Sequence, residues 1–222
     1  MKSSLASDQV QNVLKKLYKD SAENDAINRQ EAMALPDTAT QEEFYTAMRG
    51  VYMAIGMEFG NLLYSIARTN NAKTVVEFGT SFGVSTIYLA AAMKDNGGGK
   101  VITTEFHAEK VARAKANLTE AGLVEYVEFR VGDALQTLKE NTPSNIDMLF
   151  LDGPKGMYMD VLKLMESKVR TNGIIAADNT NHDGLENFLA YVRSSQNGYI
   201  SSPIQTRRDE RSSAHEISIR LV

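Results

Sequence analysis

The 222-residue chain has no cysteine and no tryptophan, and only three histidines and four prolines. Without cysteine, disulfides, thiolate nucleophiles and cysteine-ligated zinc sites are excluded. A long unbroken apolar run is missing too. The nearest approach, VYMAIGMEFGNLLYSIAR, is interrupted by Glu58, Asn61 and two glycines. It reads as a buried or groove-lining helix rather than a membrane span. Met1–Asp8 is polar and no apolar signal region follows, so a cytoplasmic protein is expected. A basic excess is also lacking. The net charge of −4 argues against a broad nucleic-acid surface.

What remains is an ordinary globular composition, 43% apolar and 23% charged, long enough for one sizeable α/β domain. Residues 1–70 are helical in pattern, with Val10, Val13, Leu14 and Leu17 at helical spacing. They are expected to cover the ligand side of a core over 73–222. From Lys73 the texture changes. TVVEFG, KVITTEF, YVEFRV, IDMLFLD and GIIAADN are short β-rich runs. STIYLAAAMK, AEKVARAKANLTEAG, DALQTLKE and YMDVLKLMESKV lie between them as helical patterns. This alternation predicts right-handed βαβ units around a parallel sheet covered on both faces. The last two runs, GYISSPIQT and AHEISIRLV, have no helix between them and predict an antiparallel hairpin. Arg207, Arg208 and Arg211 are expected at its solvated tip. No linker or repeat divides the chain, so a single domain over 1–222 is expected.

In such sheets ligands bind at the carboxyl ends of the strands. The first strand ends EFGTSFGVS. Gly79 and Gly83 are similar to a dinucleotide fingerprint, but Ser81 and Phe82 occupy the place of its middle glycine. That glycine lets backbone approach a pyrophosphate, so its absence favours a nucleoside without phosphates. Glu105 closes the second strand, where a carboxylate binds ribose hydroxyls, and Gly132-Asp133-Ala134 can wall an adenine. S-adenosylmethionine fits this set best. The fourth and fifth strands end at Asp152 and at Asp178-Asn179. Neighbouring strands would bring these three oxygen-bearing side chains to one rim, a donor set suited to Mg²⁺.

Taken together, EFGTSFGVS, ITTEF, VGDAL, FLDGPKGMY, AADN and FLAYVR resemble the class I S-adenosylmethionine-dependent O-methyltransferases. The pattern is that of catechol O-methyltransferase, with caffeoyl-CoA O-methyltransferases as cousins, and it covers about Tyr52 to Val222. The resemblance implies a Rossmann-like seven-stranded sheet of order 3-2-1-4-5-7-6. It implies that Asp152, Asp178 and Asn179 hold Mg²⁺ and that Lys155 is the general base. Glu77, Gly79 and Ser85 would hold the methionine part of the cofactor and Glu105 its ribose, with Thr80, Ser81, Phe106, Gly132, Asp133, Ala134 and Asp152 completing the wall. Two positions depart from the family. Gly153-Pro154 stands where the animal enzyme has His-Trp, and Gln205 stands at a substrate-contacting glutamate. Both touch the acceptor side.

The expected activity is methyl transfer to a hydroxyl of a small, catechol-like or other vicinal-diol acceptor. Mg²⁺ would lower the hydroxyl pKa and Lys155 would take the proton, which requires a depressed lysine pKa. A sugar or polyketide-type metabolite, or a tRNA hydroxyl, is the alternative acceptor. An inactive cofactor-binding partner subunit is the alternative from another class. A small molecule, and neither nucleic acid nor membrane, is the expected partner, with a homodimer as the candidate assembly. Among the histidines, His182 is placed in a solvated loop and His107 beside the ribose. Tyr52, Met53 and Met57 are read at helical spacing as core.

Overall fold

The computed structural model describes residues 3–36, 38–208 and 211–222. Among the described residues four α-helices precede the sheet: α1 (Asp8–Asn28), α2 (Gln30–Met33), α3 (Gln41–Ala47) and α4 (Met57–Thr69). The core then alternates β1 (Thr74–Phe78), α5 (Val84–Asp95), β2 (Lys100–Glu105), α6 (Ala108–Glu120), β3 (Val127–Val131), α7 (Ala134–Thr137), β4 (Ile146–Leu151), α8 (Tyr158–Met165), β5 (Val169–Ala177) and α9 (Glu186–Val192). It ends in the hairpin β6 (Tyr199–Arg208) and β7 (Arg211–Arg220). The sheet order is β3-β2-β1-β4-β5-β7-β6, parallel through β5 and antiparallel in the hairpin. Both the order and the hairpin are as the sequence implied.

Alternation along each strand assigns its side chains to two cores. Val75, Met148, Phe150, Ile174 and Ala176 face the layer containing α1, α4 and α5. Val76, Phe78, Leu149, Leu151, Ile175 and Ala177 face α7, α8 and α9. On α8, Tyr158, Val161, Leu162 and Met165 recur at i, i+3, i+4 and i+7 and are all fully buried. Each such side chain contributes about 1.5–3 kcal/mol on burial. At the front of the chain Ser7 caps α1 by accepting from Val10 N–H, and Thr40 with Glu43 forms a reciprocal capping box on α3. Among the described residues no helix is long and apolar enough to cross a membrane.

Three local expectations are corrected. Val51–Ile55 is not helical; α4 begins only at Met57, with Gly56 as its N-cap. The backbone there is held by tertiary partners instead: Tyr52 N–H donates to Asp25 Oδ1 at 2.9 Å and Tyr52 C=O accepts from Ser81 Oγ at 2.6 Å. Met53 takes a left-handed φ of 48°, so Tyr52, Met53 and Met57 share no helical face. The helical pattern DALQTLKE yields only the short α7. Finally, β5 starts at Val169, because Val169 pairs with Ile146 and Arg170 Nε binds Asp147 Oδ1 at 2.6 Å across a register shift in β4. The hairpin tip is tied to α4 where Arg207 N–H donates to Glu58 at 2.7 Å. The side chains of Arg208 and Arg211 lie outside those described.

Candidate active site

One cavity of about 1600 Å³ opens at the carboxyl ends of β1 to β5. Ordinary ligand pockets run to about 1,000 Å³, so this one has room for two molecules side by side. Its floor is the turn after β1. Gly79 has φ +103°, and a Cβ there would sit 2.5 Å from Asp152 C=O. The ends of β1 and β4 therefore approach as closely as backbone permits. Gly79→Ala combines this clash with a left-handed conformation and is expected to cost on the order of 2–4 kcal/mol. Denaturant unfolding within about 0.5 kcal/mol of the parent, the size of an ordinary surface change, would contradict it.

Beyond Gly79, Thr80 is buried with its hydroxyl 2.5 Å from that of Thr103. Ser81, at φ +46°, turns its N–H onto Glu105 Oε2 at 2.9 Å, while His107 N–H holds Oε1 at 3.0 Å. Two backbone donors thus orient the Glu105 carboxylate at the cavity wall. Phe106 stands half-exposed beside it. Gly132, Asp133, Ala134 and Leu135 line the same end, with Asp133 capping α7 through Leu135 N–H at 2.9 Å. His107 Nε2 lines this end, buried and without a hydrogen-bond partner among the described residues. A polar ligand would satisfy it.

Glu77 is placed differently from its sequence reading. It stands behind the cavity wall, fully buried, accepting from Ser85 at 2.6 Å, Thr86 at 2.5 Å and Thr103 at 2.6 Å. Burial raises its pKa against the pull of those hydroxyls. Ser85 reaches the cavity, so Glu77 acts there through the serine that it positions.

The other end carries the carboxylates. Leu151 pairs with Ala177 across β4 and β5, so Asp152 and Asp178, one residue on, stand side by side. Asn179 follows at φ +53°, a conformation asparagine tolerates, and also lines the cavity. Lys155 Nζ lies 3.6 Å from Asp152 Oδ1 and donates to Tyr158 OH at 2.6 Å; Tyr158 in turn donates to Asp178 C=O at 3.1 Å. Burial and the neighbouring Asp178 charge push the Asp152 carboxyl well above the usual range. Burial pushes Asp178 up as well, but His215 and Lys155 outweigh it and hold Asp178 low.

His215 is the residue sequence reasoning passed over. Its Nδ1 lies 2.7 Å from Asp178 Oδ1, its Nε2 lies 2.7 Å from Thr206 Oγ1, and its ring stacks on Phe59 at 3.6 Å. The signal lay in strand pairing. Ala177 pairs with Glu216, so the residue before Glu216 meets the residue after Ala177. Gln205, the aligned glutamate position, is exposed and off the cavity; Thr206 is the buried neighbour. His182 stands exposed at the cavity mouth. Tyr45 from α3, also unforeseen, faces this end. Burial and the Asp152 charge raise its phenol. Met33, Phe44, Met48 and Met53 complete an apolar wall on the N-terminal side.

Among the described residues no three His, Cys, Asp or Glu side chains are grouped to hold a metal ion. The donor set here is two carboxylates and an amide oxygen. Side by side, these fit a hard cation with open positions left for water or ligand.

Comparison with known proteins finds similarity in both sequence and fold. Residues 76–180 match a methyltransferase domain family. The chain is 35% identical over 128 residues to the catechol O-methyltransferase of Niastella koreensis, covering 56% of this chain and 57% of the relative. It is 32% identical over 167 residues to catechol O-methyltransferase B of Danio rerio, covering 71% and 62%. To caffeoyl-CoA O-methyltransferase 1 of Eucalyptus globulus it is 27% identical, covering 60% and 54%. These matches thus span about three fifths of the relatives' own length or less. In fold, the chain is similar to the O-methyltransferase of Bacillus cereus solved with SAH (TM-score 0.70, 20% identity, 90% and 99% covered). It is equally similar to the O-methyltransferase TomG of Streptomyces achromogenes solved with SAM (TM-score 0.69, 22% identity, 97% and 100% covered). Residues 76–180 are thus similar to a methyltransferase domain family, and the chain is similar in sequence to catechol and caffeoyl-CoA O-methyltransferases.

Proposed function

We propose that the protein is an S-adenosylmethionine-dependent O-methyltransferase acting on a vicinal hydroxyl of a small aromatic acceptor. The observation that carries this is the meeting, in one cavity, of a nucleoside-type wall (Ser81, Glu105, Phe106, Asp133) with Lys155, Asp152, Asp178 and Asn179. All eight residues fall inside the stretch that matches the methyltransferase family.

The donor's methyl group already sits on an electrophilic sulfonium, so the protein must present an oxyanion in line with it. Asp152, Asp178 and Asn179 would hold Mg²⁺, which when bound lowers the pKa of an acceptor hydroxyl. Lys155 accepts the proton, and Tyr158 fixes the direction of its Nζ. His215 stands behind the Asp178 carboxylate at 2.7 Å, close enough to bias its charge, with Phe59 and Thr206 holding the imidazole in place. Tyr45 and the methionine wall exclude water from the acceptor side. Holding both reactants in near-attack geometry supplies about 7 kcal/mol or more of the acceleration.

The apolar wall Met33, Phe44, Met48 and Met53 lies outside the matched stretch, and Gly153-Pro154 leaves out an indole. An acceptor with a larger apolar body than catechol is therefore the second candidate. Transfer of a radiolabelled methyl group from S-adenosylmethionine to catechol, hydroxycinnamoyl thioesters, aromatic polyketides, glycosides and tRNA tests both. No transfer to any hydroxyl, with the cofactor bound, would leave the partner-subunit reading instead.

Glu105→Ala isolates the cofactor side. A carboxylate receiving ribose hydroxyls makes charge-assisted bonds worth about 1.5–3 kcal/mol, so cofactor affinity should fall roughly 10- to 100-fold. Calorimetry on the folded variant reads this. An unchanged affinity removes Glu105 from the site.

A further inference from the structure

Lys110 on α6 is 2% exposed, and burying an ammonium costs several kcal/mol where an aliphatic side chain would cost nothing. Its partners say what it does. Nζ donates to Val51 C=O at 3.0 Å and to Ser81 Oγ at 3.3 Å, and lies 5.2 Å from the centre of the Phe82 ring. Burial lowers its pKa to about 8; the Glu105 and Asp25 carboxylates pull upward, and Arg113 adds to the lowering.

The two oxygens belong to separate parts of the chain. Ser81 is the turn residue whose N–H orients Glu105. Val51 begins the non-helical stretch that continues through Met53, Ala54 and Ile55 along the cavity wall. Ser81 Oγ also donates to Tyr52 C=O at 2.6 Å, and Asp25 holds Tyr52 N–H at 2.9 Å. Arg113 packs 4.0 Å over Phe82 on the same side. The junction thus links the nucleoside turn directly to the N-terminal cap of the acceptor space.

We propose that Lys110 is a positioning residue that couples this cap to the nucleoside site: its ammonium clasps Val51 to Ser81, so a turn steadied by ligand holds residues 51–56 down. The coupling is reciprocal, as any linkage between two sites must be. It rests on the reading of residues 79–83 as a cofactor turn, and the experiment separates the two.

Calorimetry with S-adenosylhomocysteine comes first. No binding by the parent protein removes the cofactor reading and the clasp with it. With binding established, backbone hydrogen exchange over residues 51–56 is measured with and without S-adenosylhomocysteine in the parent, Lys110→Met and Ser81→Ala. Coupling of the usual size predicts slowing by ligand of about 10-fold or more in the parent and under about 2-fold in both variants. Ser81→Ala also removes the direct Ser81–Tyr52 bond and so reports on the whole junction. Lys110→Gln, neutral but still polar, carries the test of the lysine if Lys110→Met does not fold. Calorimetry sets saturating S-adenosylhomocysteine for each variant. A purely structural Lys110 lowers the melting temperature but leaves the ligand-induced slowing intact. Equal slowing in the parent and in every variant that folds overturns the proposal.

Discussion

Asp178→Ala is expected to abolish methyl transfer together with any response to divalent cations. EDTA should silence the parent protein, and Mg²⁺ or Mn²⁺ should restore it, while Asp152→Ala and Asp178→Ala stay silent. The reason is electrostatic. Two carboxylates share a dry rim where Lys155 faces one at 3.6 Å and His215 faces the other at 2.7 Å. Burial first, and the Asp178 charge second, push Asp152 up, and a cation bound between the two carboxylates would offset both. Charge stabilisation by a bound cation is worth several kcal/mol of barrier, or roughly 10²–10⁴-fold in rate. Mn²⁺ titration followed by electron paramagnetic resonance gives a readout independent of turnover: one site in the parent, none in Asp178→Ala. Circular dichroism guards against misfolding from the His215 left unpaired. Full turnover in EDTA, with donor and acceptor saturating, would reject the cation and leave Lys155 to work alone.

Lys155→Ala is expected to lower kcat by about 10²–10⁴-fold, or roughly 3–5 kcal/mol, with little change in cofactor affinity. Lys155→Arg should rescue little, since a guanidinium does not give up its proton near neutral pH. Tyr158→Phe offers a milder lesion, because it removes only the hydroxyl that Nζ reaches at 2.6 Å and the link onward to Asp178. The loss in Lys155→Ala should shrink as pH rises, when hydroxide can remove the acceptor proton unaided. A lysine that merely follows a turn produces none of this. Near-parental turnover of Lys155→Ala with saturating cation and the true acceptor would return it to that role.

What was legible from sequence follows a physical rule. Strands buried on both faces and the polar residues that end them are local signals, and Glu105, Asp152, Asp178 and Asn179 were found that way. Each lies at or just after a strand's last residue, and parallel pairing delivers it to the cavity. Residues placed by long-range contact were not legible. Lys110 lies on α6 among exposed lysines and glutamates, and only the carbonyl of Val51, 59 residues earlier, explains its burial. His215 meets Asp178 across 37 positions through antiparallel pairing that no spacing encodes. The stretch Val51–Ile55 carries helix-compatible residues, yet its backbone groups are claimed by Asp25, Ser81 and Lys110 before a helix can form. Glu77 was read as a ligand contact from the resemblance alone; in β1 its alternation turns it under α5, onto Ser85 and Thr86.

The close approach of Gly79 to Asp152 has a consequence for how such a protein can change over evolution or in the laboratory. The strand ends that carry Gly79 and Asp152 meet backbone to backbone, so neither can drift without the other. Of the far wall, Met33, Phe44 and Met48 hang on short helices, with Met48 in a small cluster apart from the sheet, whereas the strap that carries Met53 also sends Tyr52, Ala54 and Ile55 into the sheet's core. Exchanging residues 30–50 between relatives, which leaves Val51 and Tyr52 bound to Lys110 and the Ser81 turn, should change the acceptor of the proposed methyl transfer, and library design for new acceptors belongs there rather than along the strand ends.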